Sequence, residues 1–291
     1  MTERLDVLKT CKLYINGSFP RSESGRTTAL TDRRGKVIAH ICRGSRKDLR
    51  DAVEVARAAQ SHWAQRSGYN RGQILYRMAE MVEGKREEFA EAIRATGAST
   101  IVAARREVDA SVDRLVSFAG WADKYSQVLG CRNPVAGPYY NFTTPDPTGV
   151  VGVIAPDEPA LLGLVTLLAA PLCAGNALVA LASHRHPLPA ALLGEICATA
   201  DVPAGVVNII TCVRAELIEP LAQHRNVDAI GAANLMRRQA ATLRLGTAEN
   251  VKRVHVEKIG REEWYDAGAC ESPWRIEPFV EMKTIWHPSA M

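Results

Sequence analysis

No Gly-x-Gly-x-x-Gly stretch occurs in this 291-residue chain, and no Gly-x-x-x-x-Gly-Lys-Ser/Thr. The two usual loops that cradle phosphates are therefore absent. Cysteine occurs seven times, but the number is odd, the spacing is scattered and there is no Cys-x-x-Cys. A disulfide framework or a zinc ribbon is not expected, and a reducing compartment fits. Charge of one sign is scarcely in excess: 36 Lys and Arg against 32 Asp and Glu leave +4. Both signs are interleaved along "SRKDLRDAVEVARAAQ" and "EGKREEFAEAIRA", as on solvated helix faces, so nucleic-acid binding is not expected. The opening "MTERLDVLKTCKLY" lacks an apolar signal core, and the expectation is a cytoplasmic protein.

One stretch, "VIAPDEPALLGLVTLLAAPLCAGNALVALAS" (153–183), carries no charge after Glu158 and is long enough to span a bilayer. Pro159, Pro171, Gly175 and Asn176 divide it, leaving one buried helix and the short apolar strand "ALVALA". A soluble strand–helix–strand unit is expected, with no membrane partner, because a parallel sheet covered on both faces produces such runs. At 47% hydrophobic the chain has material for one large core or two modest ones.

"KLYINGSFP" predicts a short strand turning at Asn16-Gly17, and "GKVIAHIC" a second strand. Helical periodicity begins after Ser45, a plausible N-cap, with Leu49, Val53, Ala56 and Ala59 on one face. A second helix is predicted over about 70–95 and a third over about 105–128, the latter with Val108, Val112, Leu115 and Phe118 inward. "GCRNPVAGPYYNFTTPDPTG" marks a boundary. Beyond it, "VVGVIA", "ALVALA", "GVVNIIT", "VDAIG" and "VKRVHVE" alternate with helical stretches near 160–172, 187–200, 214–224 and 234–244. Such alternation predicts an α/β fold with a doubly wound parallel sheet. "FVEMKTIWH" reads as an isolated strand after a loop rich in Trp, Gly and Cys. Ligands of such sheets bind beyond the carboxyl ends of the strands, which places "APDEP" where chemistry would occur.

The stretches "LYINGSFPRSESGRT", "RGKVIAHI", "PTGVVGVIAP", "CAGNALVALAS", "DVPAGVVNIIT", "NVDAIGAAN" and "KRVHVEKIG" resemble the NAD(P)-dependent aldehyde dehydrogenases, in order, over residues 12–260. The resemblance implies a Rossmann-like cofactor domain with an oligomerisation module. Residues 1–136 would be its N-terminal strand and helical part, and 137–149 the first strand and turn of an oligomerisation hairpin reaching from Tyr139 to Val151. Residues 150–260 would be the Rossmann-like part, 261–278 a linker and 279–291 the C-terminal oligomerisation strand. In the family, a catalytic domain with a nucleophilic Cys follows the general base. Here too few residues separate Gly260 from Phe279 to hold one. The chain thus resembles the truncated second half of the family 16 aldehyde dehydrogenases.

The resemblance also locates altered positions. In the loop Pro156-Asp157-Glu158, Glu158 replaces the Asn whose carboxamide stabilises an oxyanion, and a carboxylate there would repel it. Leu181 replaces the Lys that bonds the adenosine ribose, His184 an acid, and Cys212 a glycine beside the cofactor. Asn234, Leu235 and Met236 replace the small residues beneath the pyrophosphate. Glu257 stands at the general base and is a vestigial candidate, expected to be a solvated acid. No catalytic residue, no metal and no retained NAD(P) site is expected. Cys270, beside Glu271, reads as an idle thiol. The pair His184 and His186 lacks a third ligand, and Arg237 and Arg238 read as exposed.

The implied function is a non-catalytic subunit, a pseudoenzyme, in a hetero-oligomer with a full-length catalytic aldehyde dehydrogenase. That partner would pair the strand "FVEMKTIWH" and cover the surface left by the missing domain. Alternatives are a stand-alone NAD(P)-dependent aldehyde oxidoreductase using Glu257 or Cys270, and a nucleotide or anion sensor in the remnant cleft through Arg237 or Arg238.

Overall fold

Asn16 and Gly17 both take positive φ, 53° and 71°, and the chain reverses there through paired Ile15 and Ser18 hydrogen bonds, as an Asn-Gly turn favours. The computed structural model describes residues 7–97, 99–248 and 251–289. Met1–Asp6, part of the stretch read for a signal core, and Ala290 and Met291, at the end of the last predicted strand segment, lie outside the described residues.

The first segment is a mixed three-stranded sheet, β1 (Lys9–Cys11), β2 (Thr27–Thr31) and β3 (Val37–Cys42), with β3 central. Only β3 was legible as a strand. "KLYINGSFP" instead forms isolated bridges, Tyr14 with Ile209 and Ile15 with Ser18. Helix α1 (Arg46–Gln65) starts in a capping box, Ser45 and Asp48 each accepting from the other's backbone N–H. The helix expected over 70–95 is two: α2 (Gly68–Gly84) and α3 (Arg86–Ala95). They break at Lys85, which leaves helical geometry and directs its ammonium to Glu195. Next, α4 (Ile101–Trp121) starts earlier than expected because the Thr100 hydroxyl accepts from the Ala103 N–H. The short helix α5 (Tyr125–Leu129) follows.

Strands β4 (Cys131–Asn133) and β5 (Tyr139–Pro147) come next, and β6 (Val150–Ile154) opens the parallel sheet. The alternation α6 (Ala160–Ala174), β7 (Ala177–Leu181), α7 (Leu188–Thr199), β8 (Val207–Ile210), α8 (Arg214–Gln223), β9 (Ala229–Ala233), α9 (Arg237–Ala248), β10 (Arg253–Glu257) then runs as predicted. The sheet order is β10-β9-β6-β7-β8, all parallel. Every residue of α6 is buried, which accounts for the long uncharged run. Among the described residues no helix is long and apolar enough to cross a membrane.

The hairpin expected from Tyr139 to Val151 does not form. β5 pairs with β4, while β6 lies between β7 and β9 in the other sheet. The chain passes between sheets at Gly149, φ 136°, where a Cβ would lie 2.1 Å from the Asp228 carboxylate. That carboxylate accepts the Val150 N–H at 2.7 Å. A run buried on both faces belongs in a central parallel strand rather than an exposed hairpin.

Residues 261–278 are not a loose linker. They form α10 (Ala267–Cys270) and three single 3₁₀ turns, with Trp264, Cys270 and Ile276 fully buried. Arg114 of α4, itself 1% exposed, anchors them. Its guanidinium donates to the Trp264 carbonyl at 3.0 Å and the Thr166 hydroxyl at 2.8 Å, and pairs with Glu271 at 3.4 Å. The Trp121 indole donates to the Glu271 carbonyl at 2.8 Å. The chain itself thus covers this face of α4 and α6. Nor is the last strand isolated: β11 (Val280–Pro288) pairs antiparallel with β5 along its whole length, in the order β11-β5-β4. The segments expected to form an oligomerisation module make a three-stranded sheet.

Trp264→Ala is expected to lower stability by about 3–5 kcal/mol in guanidinium unfolding, the range for deleting a buried Trp. A loss of only a few tenths would show that the segment is not integral to the core.

Candidate functional site

The loops following β6, β7 and β8 meet at the carboxyl edge of the sheet, where ligands of doubly wound folds bind. Arg214 opens α8 directly after the buried β8. Its guanidinium donates to the Ala155 carbonyl and to the Asp157 carboxylate, both at 2.8 Å. The Ser183 hydroxyl, from the loop after β7, donates to the same carboxylate at 3.0 Å and accepts the His186 N–H at 3.0 Å. The Arg214 side chain is 7% exposed against 29% for Asp157. Three loops are thus tied by one ion pair whose arginine is buried and whose aspartate is half-buried.

Leu181 has no exposure and packs in the core with Ile154 and Ile210. His184 is exposed, its Nδ1 3.3 Å from the Cys212 carbonyl oxygen. Burial pushes the Cys212 thiol up to about 12. His186 turns away: its Nδ1 bonds the Thr96 hydroxyl at 2.5 Å and its Nε2 lies 3.6 Å from Glu158. Burial depresses the His186 imidazole although Glu158 and Asp157 oppose that. The described residues contain no group of three or more His, Cys, Asp or Glu that could hold a metal ion.

Glu158 is exposed and faces His186. At the start of α6 the buried Glu107, from α4, accepts the Leu161 and Leu162 N–H groups at 2.8 and 3.3 Å. Burial raises the Glu107 carboxyl despite those donors. A helix N-terminus that attracts anions is therefore capped from within. The space left among Glu107, Glu158, His186, Arg261 and Tyr265 is about 40 Å³, near the share of one water in the liquid.

On the other side of the edge, Asn234 (φ 54°) exchanges two 3.0 Å hydrogen bonds with the backbone of Ile259. Leu235 is buried, whereas Met236, Arg237 and Arg238 are exposed. The Met236 N–H donates to Gln239 at 3.2 Å, so α9 also caps itself. Glu257 is not a solvated acid. Its side chain is 18% exposed and bonds Arg275 of the inserted segment, with His255 at 3.7 Å. Burial opposes its ionisation, but His255 and Arg275 outweigh it and hold the carboxyl below its ordinary range. Cys270 is buried against the Glu263 carbonyl, and burial raises its thiol.

Sequence reasoning missed Arg214, Ser183, Glu107, Arg114 and Arg275. Two signals were readable. Glu107, Ser111 and Arg114 recur at i, i+4 and i+7 beside the apolar Val108, Leu115 and Phe118, a polar stripe on a core-facing helix. Arg214 follows the apolar strand almost immediately.

The Aldehyde dehydrogenase family model matches residues 19–264. Family 2 member B4 mitochondrial aldehyde dehydrogenase of Arabidopsis thaliana is 33% identical over 254 residues, covering 86% of this chain and 47% of that protein. Mitochondrial benzaldehyde dehydrogenase of Antirrhinum majus is 32% identical, with 86% and 47% covered. The NAD⁺ complex of a Bacillus cereus aldehyde dehydrogenase superposes with a TM-score of 0.80 at 27% identity, covering 86% of this chain and 51% of that one. The chain spans about half the length of the curated relatives it matches.

Two outcomes are expected. Asp157→Ala strands a buried guanidinium and should cost about 3–5 kcal/mol. Arg214→Met leaves a carboxylate that water can reach and should cost clearly less; equal losses in urea titrations would contradict this account. Glu257 has its folded pKa below the ordinary 4.5. Its stabilising contribution is therefore complete above that value and lost as pH falls through the folded pKa. Glu257→Gln should lower stability at neutral pH and remove that part of the acid dependence, as read by thermal unfolding from pH 7 downward.

Proposed function

The chain belongs to the aldehyde dehydrogenase family of NAD(P)-dependent oxidoreductases, and we propose that within it this chain is a non-catalytic subunit assembling with a full-length catalytic member. The observation that carries the reading is that the charged and polar side chains at the carboxyl edge are engaged with one another. Asp157 holds Arg214, Asn234 holds Ile259, Glu107 caps α6 and Glu257 is paired with Arg275. Leu181 offers no donor to a ribose, and Leu235 and Met236 are bulky where close backbone approach is needed. These residues do not fit a dinucleotide, and loss of NAD(P) binding is part of the proposal.

Glu257 lacks the raised pKa of a general base at neutral pH. Cys270 is buried with a raised pKa, the reverse of an activated nucleophile, which counts against the stand-alone oxidoreductase. No residue between Gly260 and Phe279 substitutes for a catalytic domain; the segment there is spent on covering α4 and α6. Assembly with a partner is supported by the outer edge of β11, which has no ladder neighbour among the described residues. Tyr139, Tyr140, Met282, Ile285 and Trp286 are exposed around it, the kind of apolar strand surface that proteins cover.

The test is the native mass and composition of the chain purified gently from its own cells. A full-length aldehyde dehydrogenase co-purifying in fixed ratio is expected; a lone monomer or homodimer would overturn the reading. The isolated chain should also form no NADH from aldehydes. A rate that disappears in Cys270→Ala would establish it as an enzyme instead.

A further inference from the structure

We infer that the Arg214–Asp157 pair is a built-in latch that excludes a dinucleotide from the adenosine half of the cleft. This rests on the proposed loss of NAD(P) binding and names the residues that enforce it.

The strand order β8-β7-β6-β9-β10 places the loops after β6, β7 and β8 on one side of the point where the chain changes direction. In a doubly wound fold, one half of a dinucleotide lies over those three loops. The latch uses all three: Ala155 and Asp157 follow β6, Ser183 follows β7 and Arg214 begins the element after β8. The guanidinium is buried, so it fills volume within the edge instead of reaching over it.

Charge makes the exclusion stronger than bulk. An unpaired Arg214 at the N-terminus of α8 would attract a phosphate. Asp157 neutralises it and places a carboxylate on the same spot, so an entering phosphate must break the pair and then face the freed carboxylate. Ser183 adds a hydrogen bond to the anion already in place, and the His186 N–H holds that serine. Among the described residues the Arg214 Nε has no hydrogen-bond partner, so one buried donor is left unsatisfied in the latched state.

Missing contacts alone would weaken a nucleotide without barring it. Each lost hydrogen bond is worth about a factor of five to ten, and Leu181 accounts for one such position. A paired arginine and aspartate in the path act on the whole ligand. Removing the latch should therefore recover binding that restoring a single lost donor would not.

The experiment is calorimetric titration of the purified full-length chain with NAD⁺ and with ADP. The native chain is expected to give no saturable heat. Arg214→Ala/Asp157→Ala, which removes both charges, is expected to bind ADP at least about tenfold more tightly than the native chain. Arg214→Met/Asp157→Leu keeps the bulk without charge, should fold at least as well as the native protein, and should bind ADP more tightly than the native chain; if it stays as closed as the native chain, bulk and not the ion pair excludes the ligand and the latch is overturned. If the alanine pair does not melt cooperatively, Arg214→Ser/Asp157→Asn is scored in its place. A folded open variant that binds no better than the native chain overturns the latch but leaves the proposed loss of NAD(P) intact. Saturable NAD⁺ binding by the native chain overturns both.

Discussion

A guanidinium taken out of water has to be paired and hydrogen-bonded, and two of them organise this molecule. Arg114 sits in the middle of α4 and Arg214 at the head of α8, both nearly inaccessible. Each gathers segments distant in sequence. Arg114 binds Thr166 on α6 and both the backbone and a carboxylate of residues 264–271. Arg214 binds the loop after β6 and, through Asp157, the loop after β7. Buried charges in these positions tolerate few alternative arrangements, because every misplacement leaves one unpaired.

The short segment between Gly260 and Phe279 gains its importance from that constraint. Its residues have modest helical content, yet Trp264, Cys270 and Ile276 are as buried as any core residue. Trp264 approaches Gly163 of α6, which lies against Pro156 in the loop that carries Asp157. Arg275 reaches Glu257 at the far end of the sheet. One stretch of chain thus links the helical layer with the end of β10. The same segment that covers the core also pairs the Glu257 carboxylate through Arg275.

The alternation of strands and helices after Val150 was readable because five apolar runs and their intervening stripes left no competing pattern. The Asn16-Gly17 turn was equally plain. Other features were hidden for identifiable reasons. β1 is only three residues long and β2 is largely exposed, and neither carries a two-residue periodicity. The passage at Gly149 joins two sheets and resembles a hairpin until the partners of β5 are known. The segment 261–278 is buried through its contacts with α4 and α6, which leave no local signature. At the site, Leu181, Glu158 and Asn234 were singled out by the resemblance alone. The pairing of Asp157 with Arg214 could not be read, because it depends on loops that meet only in the fold.

The ladder between β5 and β11 has a kinetic side. Tyr139–Pro147 and Val280–Pro288 are joined residue by residue across the entire α/β body that lies between them in the chain. Loop closure over that distance is unfavourable until the intervening part is compact. The small sheet is therefore expected among the last structures to assemble. During synthesis β5 emerges long before its partner strand, with one edge open and Tyr139, Tyr140 and Phe142 close together. An early strand edge of that kind is exposed to foreign pairing, so the interval before β11 arrives is when this chain is most vulnerable to joining the wrong molecule.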